Sequence, residues 1–338
     1  MSIYDAKDFH VRHCPQTAHN TVANTDGTNI EKFSNYPLSY DVKNNKARDF
    51  NISGFGKLAP SSVFSGVETC AGTFNYYLSF EDGLENQINQ NYMTGTTGAD
   101  TTINNQTIKT KTYKNFDKNP NFGWTANIQY KKGDDDHTVF QKDLFLTSRT
   151  YTISSEIPII NVSTEWIGGK ETNLNSGTEP IDGSGNSTAD FRTIVPGMEL
   201  IFEVDGTAYD YKEITITQTT GIKLVYNSAG VVSGVTQDVA DMKTILSVTQ
   251  YKTTNNTILT AVKANNNPSV KIKTNSVDGN NALIKRLWSI QLPKTSTDTD
   301  GFSLTNNNGN EIVYTFQALA DDNGDSVIQQ NYDSLVIN

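Results

Sequence analysis

The chain has 338 residues and a formal net charge of -10, with 37 acidic and 27 basic side chains. Only 19% of its residues are charged and 36% are hydrophobic, and both fractions lie below the averages of globular proteins. With Asn, Thr, Ser and Gly plentiful, this composition is typical of an all-β protein with long polar loops. The negative charge argues against a protein that grips phosphates tightly, but it is compatible with a surface past which nucleic acid slides.

The polarity of the chain divides it into an arm and a body. Residues 1–30 lack sustained periodicity, which predicts an N-terminal arm, and residues 1 to about 25 are expected to become ordered only against a neighbouring molecule. Residues 31–338 are predicted to form one β domain, in which residues 173–273 are an insertion or an enlarged second β segment. Asn173–Ser187, rich in Gly, Ser and Asn, is the strongest candidate for a long loop. No apolar run is long enough to span a bilayer, so no membrane contact is expected.

The clearest change of hydrophobic period in the chain lies between Val67 and Gly95. Large side chains first alternate with smaller or polar ones, which predicts a strand, at Phe74, Tyr76, Leu78 and Phe80. Leu84, Ile88 and Tyr92 then recur at every fourth residue, which predicts a short amphipathic helix. Such a helix is too short to be stable alone, so Leu84 and Ile88 are expected to pack on a sheet.

Most other apolar runs predict strands, and the chain therefore belongs to the mainly β class. The predicted strands are Phe33–Val42, Phe50–Leu58, Thr107–Tyr113, Phe122–Tyr130, Val139–Phe145, Arg149–Ile153, Ile157–Ile167, Met198–Val204, Ile214–Thr217, a hairpin Ile222–Val235, Ile258–Val262, Val270–Lys273, Leu283–Leu292, Ile312–Ala318 and Val327–Ile337. The first two are joined by a long exposed connection. Val239–Ser247 is interpreted as a second, shorter helix.

Histidine and cysteine crowd the N-terminal arm, where His10, His13 and Cys14 have a spacing that suits zinc. A structural zinc site needs a fourth ligand of matching spacing, and the sequence has no second pair, so no metal is expected. Cys14 and Cys70 are the only cysteines. We expect two free thiols, with a structural disulfide as the alternative.

Three acidic clusters have a composition that suits calcium, namely Asp134–His137, Asp298–Gly301 and Asp321–Asp325. The last two lack the terminal glutamate of an EF-hand loop, and all three are predicted to be solvated turns. The chain also lacks the nucleophile-elbow, HExxH, P-loop and dinucleotide-binding motifs. We therefore expect no catalytic residues, no cofactor and no enzymatic activity.

An N-terminal arm, early strands with a long connection, and the stretch AGTFNYYLSFEDGLENQINQNYMTG from Ala71 to Gly95 together resemble the tail tube proteins of long-tailed bacteriophages. In that family a glycine-led strand with alternating large residues enters a short helix. Similar features are the aromatic-Gly-Trp motif at Phe122–Trp124, the strand ending at Gly169, and the strand, proline and closing strand between Leu287 and Leu319. The resemblance covers about half of the chain, and Asn173–Lys273 departs from a compact family member.

The resemblance implies a β-sandwich or barrel with one short helix, an N-terminal arm and long loops. It implies a virion subunit, made in the host bacterial cytoplasm, that forms rings of six chains, or three if the core is duplicated. The rings stack head to tail into a tube whose lumen conducts DNA during ejection without specific binding. Expected partners are other copies of the chain and the tape measure, terminator and baseplate proteins, with a sheath if the tail is contractile. Candidate ring-stacking residues are Lys43, Asn45, Lys46, Arg48 and Phe50.

Two other classes share this composition. Another virion structural protein, such as a capsid decoration protein, is the nearer alternative. A carbohydrate- or cell-binding adhesin would use Trp124, Trp166 or Trp288 as stacking platforms, although tryptophans on alternating strands are more often core residues. A glycosidase is the enzymatic alternative, but the sequence does not single out two carboxylates among its acidic residues.

Overall fold

The computed structural model describes residues 9–21, 31–32, 37–45, 50–52, 62–64, 67–79, 83–97, 101–103, 106–108, 111–132, 135–157, 159–174, 195, 200–251, 257–274, 286–297 and 311–333. Within these residues the protein is mainly β and sandwich-like, with antiparallel sheets and two α-helices. The predicted fold class is confirmed at this level. Strands are numbered β1–β25 and helices α1 and α2 along the chain.

The larger sheet has twelve strands. They are β1 (Phe9–Pro15), β2 (Glu31–Lys32), β3 (Pro37–Asn45), β6 (Thr69–Tyr77), β11 (Trp124–Lys132), β12 (Asp135–Ser154), β13 (Asn161–Gly168), β14 (Glu171–Leu174), β17 (Glu213–Thr219), β20 (Lys243–Tyr251), β23 (Lys294–Thr297) and β24 (Glu311–Leu319). One path through this sheet runs β3-β6-β13-β12-β17-β20-β24-β23, and β11, β1 and β2 branch from the other half of β12.

The smaller sheet has seven strands in the order β16-β15-β21-β22-β25-β10-β7. They are β7 (Thr94–Thr97), β10 (Lys111–Lys114), β15 (Leu200–Val204), β16 (Thr207–Tyr209), β21 (Val270–Thr274), β22 (Arg286–Leu292) and β25 (Ile328–Asp333). Three separate hairpins complete the described strands: β4 (Phe50–Ile52) with β5 (Ser62–Phe64), β8 (Thr101–Ile103) with β9 (Gln106–Ile108), and β18 (Ile222–Tyr226) with β19 (Val232–Gln237). The last of these is the predicted hairpin.

Strand β12 joins the two branches of the larger sheet and is 20 residues long. The sequence predicted two strands here, Val139–Phe145 and Arg149–Ile153. The first half of β12 pairs with β11 and β14, and its second half pairs with β13 and β17. The change of partners lies near Asp143, whose φ of 52° is rare for a residue other than glycine. Residues 146–148, between the two predicted runs, also stay within the strand, where the pairing with β13 shifts register between Leu146 and Ser148.

Strands from residues 200–274 lie inside both sheets. β17 and β20 lie between β12 and β24 in the larger sheet, whereas β15 and β21 extend the smaller one. The described part of 173–273 is therefore interleaved with the rest of the chain, as in an enlarged β segment. The predicted loop Asn173–Ser187 begins within β14, and its residues after Leu174 lie outside the described ranges.

Helix α1 covers Gly83–Tyr92, where the sequence predicted it, and a second helix, α2, covers Thr257–Ala264. The prediction of a strand at Ile258–Val262 was wrong, because a short apolar run has no decisive period; Ile258 and Val262 are buried four residues apart on one helical face. The predicted helix Val239–Ser247 was also wrong. One turn of 3-10 helix at Val239–Asp241 leads into β20, in which Thr244, Leu246 and Val248 are buried in alternation.

The N-terminal region is not irregular throughout. Phe9–Pro15 form β1, which pairs along its whole length with β11, from Phe9 opposite Tyr130 to Pro15 opposite Trp124. The prediction of an arm without regular structure was wrong for this strand. The sequence of β1, FHVRHCP, mixes apolar residues with histidine and arginine and therefore shows no clear alternation. Its order comes from backbone pairing with β11 rather than from a run of large apolar side chains. That the arm orders only against a neighbour stays a prediction.

Candidate functional site

The candidate ring-stacking residues follow β3, a nine-residue strand that pairs with β6. Pairing is close at Gly72, where a Cβ atom would lie 2.0 Å from the backbone oxygen of Asp41. Within the described residues no strand lies on the other side of β3. One carbonyl on that strand, that of Val42, accepts a hydrogen bond from the side chain of Gln141 at 2.8 Å. β3 is therefore a margin of the larger sheet, with one side-chain bridge across it.

The five candidate residues fall in different surroundings. Lys43 lies on β3 with 73% of its side chain exposed and forms an ion pair with Asp41. Asn45 ends β3, where its backbone lies opposite Thr69. Phe50 begins β4, and Lys46 and Arg48 lie outside the described residues. The structure therefore places Lys43 and Asn45 at the end of an edge strand and shows that the connection after them includes a short hairpin.

The predicted packing face of α1 is confirmed. Leu84 and Ile88 are fully buried, and Tyr92 continues the same stripe. The hydroxyl of Tyr92 accepts a hydrogen bond from the backbone N–H of Leu146 at 2.8 Å, which fixes the end of the helix to β12. Phe74, Tyr76 and Leu78 of the preceding strand are buried as the alternation predicted, and Phe80 lies outside the described residues.

A buried ion pair, which the sequence analysis missed, holds the other buried face of α1. Glu85 and Arg149 are 1% and 0% exposed, and Arg149 Nη1 donates to Glu85 Oε1 at 3.0 Å. Tyr76 Oη donates to Glu85 Oε2 at 2.6 Å, and Tyr151 Oη donates to Oε1. The network reaches the smaller sheet through Gln329 of β25, which contacts both Glu85 and Arg149. Helix α1 and three strands, β6 and β12 of the larger sheet and β25 of the smaller one, therefore converge on one salt bridge.

The remaining donors of Arg149 are also engaged. Nε and Nη2 both donate to Gln218 Oε1, at 3.0 and 2.7 Å, and Nη1 also donates to Asn89 Oδ1 at 2.8 Å. Burial is the largest single influence on the pKa of Arg149 and lowers it, but Glu85, Tyr151 and Tyr76 together raise it, so that this pKa lies above its ordinary value. Burial raises the pKa of Tyr151 well above its ordinary value. The pair is therefore buried and structural, and the N–H donors of Arg149 are engaged with other side chains of the chain.

A second buried carboxylate, Asp143, fixes the segment that follows β1. Its two oxygens accept the backbone N–H of Asn20 at 3.1 and 2.9 Å, and Gln16 Nε2 donates to Oδ1 at 3.2 Å. The backbone N–H of Asp143 in turn donates to Gln16 Oε1 at 2.6 Å. The one cationic candidate in contact is His19, 3.4 Å away. Burial raises the pKa of Asp143 above its ordinary value, although these hydrogen bonds and His19 oppose the shift.

The His/Cys group of the N-terminal region is packed into the core. His13 stacks on Trp124 with ring centroids 4.9 Å apart, and burial lowers the pKa of His13 to about 3, so the ring is neutral at physiological pH. Cys14 and Cys70 are buried and form no disulfide, as expected, and burial raises the pKa of Cys70 to about 12. The described residues contain no group of three or more His, Cys, Asp or Glu side chains with metal-binding geometry. At neutral pH these side chains therefore serve packing.

The three tryptophans are core residues. Trp124, Trp166 and Trp288 are 1%, 2% and 1% exposed, and Trp124 and Trp166 pack with ring centroids 5.0 Å apart. None presents an open ring face to a sugar, which removes the stacking platforms on which the adhesin alternative relied.

One acidic cluster is a turn and another lies mostly in a strand. Asp321 Oδ1 accepts the backbone N–H groups of Asn323 and Asp325, and Gly324 has a φ of 82°. The prediction of a solvated turn at Asp134–His137 was wrong for its last three residues, because the pairing of β12 with β11 continues through them: Asp135, Asp136 and His137 lie opposite Lys132, Lys131 and Tyr130. Asp298–Gly301 lies outside the described residues.

Two surface depressions lie at opposite ends of the larger sheet. One, of about 510 Å³, lies beneath the tip of the β18–β19 hairpin beside Asp143. Its two lysines are engaged, because Lys142 donates to Asn20 and Lys170 pairs with Glu68. The other, of about 440 Å³, is lined by Ser155, Leu200, Ile201, Phe202, Ala208, Tyr209, Asp210 and Tyr211.

The described residues leave β3 and β23 at the two margins of one path through the larger sheet, a separate β18–β19 hairpin, and a core with a buried ion pair. In the described part of the chain, neither helix has the length and apolarity to cross a bilayer. No protein-family model and no curated protein sequence matches this chain.

Proposed function

We propose that this chain is a structural subunit that assembles into stacked rings, as the tail tube of a long-tailed bacteriophage. The observation that carries the proposal is the eight-strand path β3-β6-β13-β12-β17-β20-β24-β23, which ends at both margins in strands with no further described partner. At one margin β3 is nine residues long, and at the other β23 covers only the last four residues of β24. Sheet margins of this length pair with a neighbouring chain unless they are blunted.

Two different margins on one chain support a ring rather than a two-fold dimer. A contact between β3 of one copy and β24 of the next is heterologous, and such contacts close into a ring when the rotation permits. The resemblance supplies the number of six chains per ring, with three for a duplicated core. Stacked rings would enclose a lumen, and the net charge of -10 would keep transiting DNA from adhering to its wall.

The internal rigidity of the subunit supports a structural role. Its most deeply buried charged groups, Glu85 and Arg149, form an ion pair with each other, and its three tryptophans are packed in the core. A role in the virion implies the tape measure, terminator and baseplate proteins as further partners, and a sheath in a contractile tail.

Negative-stain imaging of the purified chain tests the proposal. We expect rings or tubes of uniform width. Leu38→Lys on β3 should reduce ring formation without changing the fold, because Leu38 is 44% exposed on the margin strand. Val225→Lys is the matched control, since Val225 is 39% exposed on the separate hairpin. A chain that stays monomeric at high concentration, or that forms rings equally well with Leu38→Lys, would contradict the proposal in favour of an adhesin or another virion protein.

A deletion separates ring formation from stacking. Removing residues 43–54 should leave the fold intact and weaken stacking, because the deletion takes away the last three residues of β3 and the short strand β4, and it includes none of the buried hydrophobic residues of the described core. Deleting Phe74–Phe80 should instead abolish folding, because Phe74, Tyr76 and Leu78 are all buried. Polymerisation of the loop deletion at the level of the parent would argue against a stacking role for this segment.

A further inference from the structure

We propose that one end of the larger sheet is the acceptor surface for ring stacking, and that it binds the basic segment Lys43–Phe50 of a second copy of this chain. This inference rests on the proposed function and adds to it the surface that the segment contacts. The acceptor surface, called the acidic end below, consists of Glu156, Ile157, Asp210, Glu213, Tyr251 and Glu311.

Strand register brings the acidic end together. Ser154 of β12 lies opposite Glu213 of β17, Glu213 lies opposite Thr249 of β20, and Tyr251 lies opposite Glu311 of β24. Residues 155–157 continue from β12 at the same end, where the backbone N–H of Ser155 donates to the carbonyl of Lys212. Four neighbouring strands therefore end in one surface.

This surface combines exposed apolar area with negative charge. Ile157 and Tyr251 are 57% and 53% exposed, which is unusual for large hydrophobic side chains in the described part of this chain. Four carboxylates surround them, from Glu156, Asp210, Glu213 and Glu311, and Lys212 is the one described cation among them. The acidic end together with Lys212 therefore carries a formal charge of -3. The groove of about 440 Å³ that includes Asp210 and Tyr211 lies beside it.

The side chains of the acidic end are already held in place. Lys212 Nζ pairs with Glu311 Oε1 at 2.5 Å and lies 5.4 Å from the centroid of the Tyr251 ring, and the Tyr251 hydroxyl donates to Glu156 Oε1 at 3.4 Å. A surface ordered in this way loses less side-chain entropy when a partner binds. Glu156, Asp210 and Glu213 are exposed to solvent on this surface, whereas Glu311 is partly buried.

The segment Lys43–Phe50, KNNKARDF, has the complementary charge. Lys43, Lys46 and Arg48 against Asp49 give it a formal charge of +2 in a chain whose net charge is -10, and Phe50 adds an aromatic side chain. In another lysine-rich stretch, residues 109–118, two lysines have partners within the chain: Lys114 pairs with Asp325, and Lys118 donates to the carbonyl of Gln90.

The segment leaves the larger sheet at the opposite end from the acidic end. Asn44 lies opposite Cys70, Cys70 lies opposite Gly168, and the adjacent Ile167 lies opposite Phe145 of β12. Phe145 and Ser154 are separated by nine residues of strand, which span roughly 30 Å. A copy that donates its segment at one end and accepts at the other makes a heterologous contact along the strands. Such a contact does not close, so it extends into a stack.

Charge reversal and charge exchange test the proposal on the full-length chain. The acidic variant is Glu156→Lys with Glu213→Lys, and the basic variant is Lys46→Glu with Arg48→Glu. Each pair should raise the concentration needed for polymerisation about tenfold, measured by sedimentation, because two favourable contacts become repulsive. The four substitutions combined in one chain should restore polymerisation to within about threefold of the parent, because the reversed charges again attract.

Controls and outcomes separate this inference from the proposed function. Two control substitutions reverse single exposed charges away from both surfaces and should leave polymerisation unchanged. They are Glu165→Lys on β13 and Lys263→Glu on α2. All variants should keep the unfolding midpoint of the parent. If the parent polymerises but the reversals have no effect, or the combined variant is no better than each pair, the acceptor surface is wrong while ring assembly stands. If the parent does not polymerise, both are overturned.

Discussion

Glu85 and Asp143 are both buried carboxylates in the structure, 1% and 2% exposed, but they are stabilised in different ways. Glu85 has a guanidinium at 3.0 Å and two tyrosine hydroxyls. Asp143 relies on neutral amide donors and on a histidine at 3.4 Å. Glu85 therefore has a positively charged partner at hydrogen-bond distance, whereas Asp143 has no arginine or lysine partner among the described residues, and burial raises its pKa.

The two sites also hold different parts of the molecule. The Glu85 site fixes α1 between the two sheets, so its loss disturbs the whole sandwich. The Asp143 site fixes the segment after β1 to a distortion in β12, so its loss disturbs one connection. The difference teaches that a buried carboxylate contributes to global folding or to local order according to how many elements converge on it.

The largest expected effect comes from removing the counter-charge of the first site. Arg149→Met should lower the free energy of unfolding by about 3–5 kcal/mol, because Glu85 is left buried without its cation. Urea unfolding measures this. Adding Glu85→Gln to the same chain should recover a substantial part of the loss, since the uncompensated charge disappears. An Arg149→Met chain as stable as the parent would show that Glu85 is not ionised in the fold.

A new carboxylate on the same helix gives a second, somewhat smaller effect. Ile88→Asp, one turn after Glu85, should cost about 2–4 kcal/mol, because the fully buried position of Ile88 offers no cation and the acid must be buried unpaired or protonated. Ile88→Val is the matched control and should cost only about 0.5–1.5 kcal/mol. A soluble, fully stable Ile88→Asp chain would contradict the packing of α1 on the sheets.

The pH dependence of stability distinguishes the second carboxylate. Because the pKa of Asp143 is raised in the fold, its contribution is fully present below the unfolded value and is lost as pH rises through the folded pKa. The stability of the parent relative to Asp143→Asn should therefore fall as pH rises from about 4. Asp321 is the control with the opposite sign, because backbone hydrogen bonds lower its pKa. The stability of the parent relative to Asp321→Asn should therefore increase as pH rises from about 3 to 5. If the stability difference from the parent changed with pH in the same direction for Asp143→Asn and Asp321→Asn, the opposite pKa shifts of the two carboxyl groups would be refuted.

The smallest effect should be confined to the segment after β1. Gln16→Ala should cost about 1–2 kcal/mol, because the buried backbone N–H of Asp143 loses its acceptor at 2.6 Å. Amide exchange should quicken at residues 16–21 and leave the strand β17 unchanged. The same measurement on the parent tests whether residues 1–8 are unprotected in a monomer, as predicted for the arm. Faster exchange throughout the larger sheet would mean that the Asp143 site supports the whole fold.

The elements with strong local periodicity could be predicted from sequence. The alternation of Phe74, Tyr76 and Leu78 and the four-residue spacing of Leu84 and Ile88 each place a complete buried face on one element. Short apolar runs could not be assigned in the same way. Ile258–Val262 fits either period over five residues, and tertiary packing made it a helix, whereas the mixed run after Val239 became a central strand. β1 was missed because its pairing with β11 supplies the order that its own side chains do not.

The candidate assembly surfaces divide similarly. Lys43–Phe50 is visible as a basic stretch in an acidic chain, so sequence could single it out. The acidic end was invisible, because its carboxylates come from residues 156, 210, 213 and 311, which only strand register brings together.

Local side-chain patterns were enough to predict the β class, the strand-to-helix junction at residues 74–92 and the turn at Asp321–Asp325, because each depends on side chains that are neighbours in the chain. Contacts between distant residues needed the folded chain: Arg149 meets Glu85 across 64 residues, Asp143 holds Gln16 across 127, and β12 pairs with both branches of the larger sheet. A polar residue on an alternating strand has the same local pattern whether it faces solvent or a buried partner. Its partner is set by strand register and sheet order, which the local pattern does not encode.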